Sequence, residues 1–292
     1  MPHSLIALYQ NGNYVVKLYS DGTKIKTTLA DSFCAEFPDS IDLKITDYCD
    51  QGCPMCHEKS SVNGKHAELD APFLDTLKKG TELAIGGGNP LSHPRLVEFL
   101  ERMKAQGVIC NITVNANHVS SQKSLISRLI RDKLIYGLGI SIQAYNEEAV
   151  MLAQSYPNAV LHLINGIFED YDKISGKCLK LLILGYKMFG RGKEYFSPEI
   201  KERMEKTKSL LPSLIGKFKL ISFDNLALEQ LCVKELITPE QYESMYMGDD
   251  GEGSMYIDLV NKQFAKGSTS IERFPIEDEI GKMFKKIQVK KA

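Results

Sequence analysis

One stretch decides the fold of this chain: Ile41-Asp42-Leu43-Lys44-Ile45-Thr46-Asp47-Tyr48-Cys49-Asp50-Gln51-Gly52-Cys53-Pro54-Met55-Cys56. Its first five residues predict a buried strand, and this strand leads directly into a loop with three cysteines in eight residues. A [4Fe–4S] cluster is usually bound by four ligands, and this loop offers three thiolates. If no fourth protein ligand arrives, one iron remains open to a substrate or a cofactor.

Composition favours an intracellular protein without identifying its activity. The 292 residues include 36 Lys plus Arg and 37 Asp plus Glu, so the near-zero net charge gives no sign of a large nucleic-acid partner. The sequence has no signal-peptide pattern at its start and no apolar run long enough to cross a membrane. Seven cysteines, of which only three cluster, favour a reducing compartment over a disulfide scaffold. We therefore predict a cytoplasmic protein with no membrane partner.

Short apolar strands alternate with amphipathic helices along most of the chain. Six strand candidates follow Ile41–Ile45, at residues 83–86, 109–114, 138–142, 159–164, 179–184 and 218–223. Helical patterns lie between them, the first with Asp70 as its N-cap and Gly80 after its end, and others at 93–106, 120–133, 147–154 and 197–210. Strands separated in this way pair in parallel through right-handed crossovers. The predicted fold class is α/β, with a partial (βα)6 TIM-like barrel.

The two ends of the chain depart from this alternation. Hairpin turn pairs at Asn11-Gly12 and Asp21-Gly22 predict an N-terminal β-hairpin or meander within residues 1–40. Residues 41–225 then form the barrel core. Residues 226–292 contain a short helix after Thr238 and the strand-like Met255–Leu259, and they predict an α+β extension that covers the barrel mouth.

Zinc is the alternative to iron at the three cysteines. Zinc would need a fourth ligand, and His57, directly after Cys56, is poorly spaced for the same tetrahedron. His57 is better suited to an exposed position, to a contact with the substrate or to support of the site. A non-catalytic iron–sulfur or zinc module that senses redox state or recruits a partner stays open on these residues alone.

The cysteine loop resembles the signature of the radical S-adenosylmethionine (SAM) superfamily. The resemblance rests on Cys49-x3-Cys53-x2-Cys56, placed after a first strand and before a βα series, and it covers about residues 41–225. It implies that the three thiolates bind a [4Fe–4S] cluster and that SAM chelates the open iron. It further implies reductive cleavage of SAM to a 5′-deoxyadenosyl radical that abstracts hydrogen from a substrate, with an electron donor such as flavodoxin or ferredoxin. Both an oxidoreductase reaction and a transferase reaction can begin with this hydrogen abstraction.

The resemblance also implies which residues contact SAM. Gly86-Gly87-Gly88-Asn89 matches the family's glycine-rich segment, which receives the SAM amino group. Met55 stands where the family usually has an aromatic residue, and it can still pack over the adenine.

Polar pairs at two strand ends supply further candidates. Ser141 and Gln143 lie two residues apart at the end of the fourth strand, so they share one side of its pleat, and the resemblance places them near the SAM ribose. Asn115 and Asn117 occupy the matching position after the third strand. We expect Asn115 to contact the cofactor and Asn117 the substrate.

Two features of the sequence bear on the substrate. The segment 184–193 combines three glycines with three cations, which suits an anionic group, and Lys187 and Arg191 are its candidate anchors. Met255–Leu259 resembles the carboxyl-terminal part of peptide-modifying members of the family. A ribosomally made peptide is therefore the first substrate hypothesis, and a small anionic metabolite or nucleotide is the second.

Overall fold

A computed structural model describes residues 4–288 of the chain. The terminal residues 1–3 and 289–292 of the two predicted end segments lie outside the described residues. The strands are β1 (Leu5–Asn11), β2 (Tyr14–Tyr19), β3 (Lys24–Thr28), β4 (Ser40–Thr46), β5 (Glu82–Gly87), β6 (Ile109–Asn115), β7 (Gly137–Ile142), β8 (Ala159–Ile164), β9 (Lys180–Leu184), β10 (Leu220–Phe223), β11 (Ser254–Asp258), β12 (Gln263–Ala265) and β13 (Phe274–Pro275). The α-helices are α1 (Leu96–Gln106), α2 (Ala116–Ser121), α3 (Lys123–Arg131), α4 (Glu147–Ser155), α5 (Tyr171–Ile174), α6 (Arg191–Tyr195), α7 (Pro198–Leu214), α8 (Asn225–Gln230), α9 (Pro239–Met245) and α10 (Ile280–Ile287).

A ten-stranded sheet forms the centre of the molecule. Its order is β10-β9-β8-β7-β6-β5-β4-β11-β12-β13, and all neighbours from β10 to β11 pair in parallel. The order leaves β10 and β13 as the two edges. This largely parallel sheet with intervening helices confirms the α/β class.

The N-terminal strands form a separate antiparallel sheet. β1, β2 and β3 pair in chain order, with turns in which Gly12 and Gly22 adopt positive φ angles of 56° and 90°. Asp39, just before β4, accepts hydrogen bonds from Tyr14 Oη at 2.6 Å and from Asn11 Nδ2 at 2.8 Å, and it pairs with Lys26 Nζ at 2.7 Å. This buried carboxylate therefore ties the small sheet to the start of the central one.

Helix α1 follows its sequence pattern, whereas the helix expected between Asp70 and Gly80 was predicted wrongly. The stripe of Leu96, Phe99, Leu100 and Met103 is buried, and α1 ends at Gly107 in the left-handed conformation with φ of 78°. Between Asp70 and Gly80 the chain forms only a 3-10 turn, Pro72–Thr76. The residue before that turn is Ala71, whose side chain has no acceptor for a capping bond, and the chain becomes extended again at Leu77.

The C-terminal segment continues the central sheet. β11 pairs with β4, so that Tyr256 lies beside Asp42 and Asp258 beside Lys44. Helix α10 buries Ile280, Met283, Phe284 and Ile287 on one face. Among the helices of residues 4–288, none has both the length and the apolar character that a membrane crossing requires.

Candidate active site

The cysteine loop begins directly after β4, at the carboxyl end of the parallel strands. The Cys49 amide donates to the Ser61 carbonyl at 2.9 Å, and the Cys56 amide donates to the Cys53 carbonyl at 3.2 Å. Gly52 adopts a φ of 59°, which favours glycine at this turn. All three thiols are partly exposed. The loop thus presents three soft donors at the edge of the sheet where ligands of such folds bind.

The three thiols are close enough to influence one another. Burial raises the pKa of the Cys49 thiol, and the neighbouring Cys53 and Cys56 add to that rise. Within residues 4–288, no three His, Cys, Asp or Glu side chains converge as tightly as ligands of a single metal ion do. A cubane cluster takes each thiolate on a different iron, so its sulfurs do not need to meet at one atom. The donor set therefore fits a [4Fe–4S] cluster.

The predicted polar contacts come together in a cavity of about 300 Å³ beside Cys53. The cavity is lined by Asn115, Asn117, Ser141 and Gln143, and Asn115 and Ser141 are direct neighbours across β6 and β7. Gln143 Nε2 lies 3.0 Å from Cys53 Sγ. The volume of this cavity is at the lower end of the range for small-molecule sites.

A second cavity of about 320 Å³ lies at the opposite ends of the strands. It is lined by Ala159 and Lys180, the first residues of β8 and β9, and by Lys219 just before β10. Because no predicted site residue lines it, the cavity beside Cys53 is the candidate site.

The glycine run contributes mainly close packing. A Cβ atom on Gly87 would stand 2.4 Å from the Thr46 carbonyl oxygen, and one on Gly88 would stand 2.1 Å from that of Tyr48. These two glycines let β5 approach the end of β4 and the cysteine loop. A Cβ atom on Gly86 would meet nothing within 4 Å. Gly86 is therefore the glycine of this run that borders open space.

Asn89 and Met55 are placed behind the site. Asn89 is buried, and its side-chain oxygen accepts from the Leu91 amide at 3.2 Å. Met55 is also buried, in a small apolar cluster with Tyr186 and Ile200. Both residues are engaged with protein groups rather than open to the cavity.

The two predicted cationic anchors have protein partners. Arg191 donates from Nε and Nη2 to the Cys53 carbonyl at 3.1 and 3.0 Å, and from Nη1 to the Ser60 carbonyl at 3.0 Å. Lys187 Nζ donates to Ser268 Oγ at 2.8 Å. Arg191 thus supports the cysteine loop from the side of α6.

A buried ionic network also supports the loop, and the sequence interpretation missed it. Lys44 Nζ lies 2.8 Å from Glu58, 2.6 Å from Asp47 and 3.2 Å from Asp258. The Tyr256 hydroxyl donates to Glu58 at 2.9 Å. Burial alone would lower the pKa of Lys44, but the carboxylates, led by Glu58, raise it above its ordinary value. A lysine directly between two apolar residues of a strand was the available signal, because a buried lysine needs partners.

Two histidines lie beside the loop. His57 Nε2 is 3.4 Å from the Glu58 carboxylate, with the side chain about 30% exposed. His118, which the sequence interpretation did not select, is buried, and its Nε2 lies 2.7 Å from Asp50 and 3.0 Å from Gln51 Nε2. His118 therefore fixes the first turn of the cysteine loop.

Comparison with known proteins assigns a family to the central part of the chain. Residues 43–181, slightly less than half of the chain, match the family model of the Radical SAM superfamily. These residues form a radical SAM domain. The cofactors of that family are a [4Fe–4S] cluster and SAM.

Two known proteins are similar to the chain. The tungsten-containing aldehyde ferredoxin oxidoreductase cofactor-modifying protein of Pyrococcus furiosus is 24% identical over 208 residues, which is 68% of this chain and 52% of that protein. SuiB of Streptococcus suis bound to SAM has a TM-score of 0.59 at 15% identity, over 83% of this chain and 64% of SuiB. SuiB bound to its precursor peptide SuiA has a TM-score of 0.60 at 15% identity, over 86% and 65%. The chain thus spans about half the length of its curated relative, and the SuiB structures establish similarity of fold.

Proposed function

We propose that this protein is a radical SAM enzyme that cleaves SAM reductively and modifies a substrate by hydrogen abstraction. When bound, the cluster and SAM supply the electron transfer and the 5′-deoxyadenosyl radical for that chemistry. The observation that carries the proposal is a loop with three partly exposed cysteines, of which Cys53 lines a polar cavity at the carboxyl ends of the strands. An iron–sulfur module without catalysis would not need such a cavity.

The proposed roles follow from where each side chain lies. Cys49, Cys53 and Cys56 ligate the cluster. Asn115, Ser141 and Gln143 line the cavity and would contact SAM, and Gly86 borders open space and would receive the SAM amino group. The remaining members of the predicted SAM set, Gly87, Gly88, Asn89 and Met55, shape the wall behind the cofactor. Asn117 and His57 face the substrate.

A peptide is the substrate class that we propose. Its support is the fold shared with SuiB, which has been seen bound to its precursor peptide SuiA, over 86% of this chain. The alternative of a small anionic metabolite or nucleotide relied on Lys187 and Arg191. Three donors of Arg191 are used by backbone carbonyls, which weakens that alternative.

The wider organisation is part of the same proposal. The parallel sheet would curve into a partial TIM-like barrel over residues 41–225, flanked by the N-terminal unit 1–40 and the C-terminal extension 226–292. We place the enzyme in the cytoplasm, with flavodoxin or ferredoxin as the electron donor and either oxidoreductase or transferase chemistry as its outcome.

Anaerobic reconstitution tests the activity. The protein is loaded with iron and sulfide, reduced with dithionite, and assayed with SAM for 5′-deoxyadenosine. We expect product from wild type and from Cys34→Ala, whose cysteine is exposed and outside the loop, and none from Cys53→Ala. One equivalent of zinc with no iron uptake, or a fully loaded protein that never cleaves SAM, would contradict the proposal.

A separate experiment tests the substrate. If a short peptide is encoded beside this chain, coexpression followed by mass spectrometry should show a mass change in that peptide that disappears with Cys53→Ala. An unchanged peptide, together with turnover of an anionic metabolite that Lys187→Ala abolishes, would favour the alternative.

A further inference from the structure

The segment 187–192 packs directly against the cysteine loop. A Cβ atom on Gly190 would stand 2.2 Å from the His57 carbonyl oxygen, so this position tolerates only the smallest residue. Gly190 also has a φ of 56°. The two loops, one after β4 and the other after β9, are therefore in backbone contact.

Arg191 makes the polar contacts of this interface. Its guanidinium donates two hydrogen bonds to the Cys53 carbonyl and one to the Ser60 carbonyl, and its own amide donates to the Cys56 carbonyl at 3.1 Å. One residue thus binds the backbone at two of the three cysteines and at the return of the loop.

The segment that carries Arg191 is itself anchored in the interior. The buried Tyr186 donates from its hydroxyl to the Gly192 carbonyl at 2.8 Å. Gln230 of α8 accepts from the Tyr186 amide and donates to its carbonyl, both at 2.9 Å. Because these hydrogen bonds hold the segment 187–192 in place, Arg191 can restrain the cysteine loop.

We propose that Arg191 is a positioning residue for the iron–sulfur cluster. Arg191 fixes the cysteine loop before iron binds, and it places a permanent positive charge beside the Cys53 ligand. This inference rests on the cluster site of the proposed function. The planar fork of arginine can engage two carbonyls at once, whereas a lysine ammonium is a compact point charge on a flexible stem. A positive charge also favours the reduced cluster, which carries one more electron.

Two substitutions separate geometry from charge. Arg191→Lys keeps the charge but loses the fork, and Arg191→Gln loses both. Arg203→Gln is the matched control, since Arg203 is an exposed arginine on α7 that pairs with Glu169. Hydrogen–deuterium exchange of residues 49–61 in the metal-free protein measures how firmly the loop is held. An EPR-monitored redox titration of the reconstituted protein measures the effect of the charge on the midpoint potential of the cluster.

We expect exchange in the loop to become about tenfold faster in both Arg191 variants, the effect of losing one charge-assisted hydrogen bond. The midpoint potential should become more negative in Arg191→Gln and stay near wild type in Arg191→Lys. If the loop of both variants exchanges at the wild-type rate, the inference is wrong, whether or not the protein cleaves SAM. A wild-type protein that binds no cluster but shows the expected exchange pattern would instead refute the proposed function and leave the loop support established. If Arg191→Gln fails to fold, Arg191→Lys alone decides by its exchange rate.

Discussion

Lys44 is a cation between Leu43 and Ile45 in β4, and its side chain is about 5% exposed. Its ammonium group pairs with three carboxylates, those of Asp47, Glu58 and Asp258. A buried ion pair is costly to form, but removing one partner is worse because the other charges stay buried.

We predict that Lys44→Ala lowers the free energy of unfolding by about 3–5 kcal/mol. The double variant Lys44→Met with Glu58→Gln should recover part of this loss, because it removes an acid that the lysine balances. Urea unfolding of the single and double variants measures both effects. An exposed lysine, such as Lys206 on α7, provides the control substitution. A single variant as stable as wild type would show that the network carries no net stabilisation.

The glycine run offers a matched pair of single substitutions. Gly88→Ala would push a methyl group against the Tyr48 carbonyl, which should cost about 1–3 kcal/mol and displace the cysteine loop. Gly86→Ala enters open space, so we expect normal folding and normal iron content but weaker SAM binding. Iron analysis after reconstitution and equilibrium binding of SAM separate the two outcomes. Equal iron content in both variants would argue against the close approach at Gly88.

At the scale of elements, the sequence predicted those features that depend on neighbouring residues. The strand β8 follows from a short apolar run, and the helix α1 follows from its apolar stripe and the glycine after its end. The turn at Pro72–Thr76 was predicted as part of a helix because Asp70, Pro72 and Gly80 also suit the cap, first turn and end of a helix. Pairing of β11 with β4 and the contact of Arg191 with Cys53 join residues far apart in the chain, and no local pattern encodes such partners.

Asp39 joins the N-terminal sheet to β4, and its role depends on pH. Burial alone would raise the pKa of Asp39, but Lys26 and the hydrogen bonds from Tyr14 and Asn11 bring it below its ordinary value. A carboxyl with a lowered folded-state pKa stabilises the fold above its unfolded pKa of about 3.9, and this contribution is lost as the pH falls through the folded value.

We therefore predict that Asp39→Asn costs about 1.5–3 kcal/mol at neutral pH. The difference from wild type should shrink below about pH 4, because protonation removes the same charge in wild type. Urea unfolding across this pH range measures the difference. A cost that stays constant down to the lowest pH would show that the charge of Asp39 contributes nothing.

At the scale of the whole molecule, the C-terminal segment reaches the candidate site through β11. Tyr256 donates to Glu58, two residues after the last cysteine of the loop, across 198 positions of sequence. The same ring faces the guanidinium of Arg273 at 4.9 Å. The C-terminal segment thus contacts the loop that would carry the cluster.

A double-mutant cycle between Tyr256→Phe and Glu58→Gln tests this connection. Each single variant should lose about 1 kcal/mol or more of stability, and the double variant should lose less than their sum because both remove one shared hydrogen bond. The same cycle measured as the rate of cluster loss to a chelator shows whether the link reaches the iron. Tyr195→Phe, an exposed tyrosine on α6, is the control and should change neither quantity. Strictly additive effects in both measurements would mean that the C-terminal segment covers the loop without supporting it.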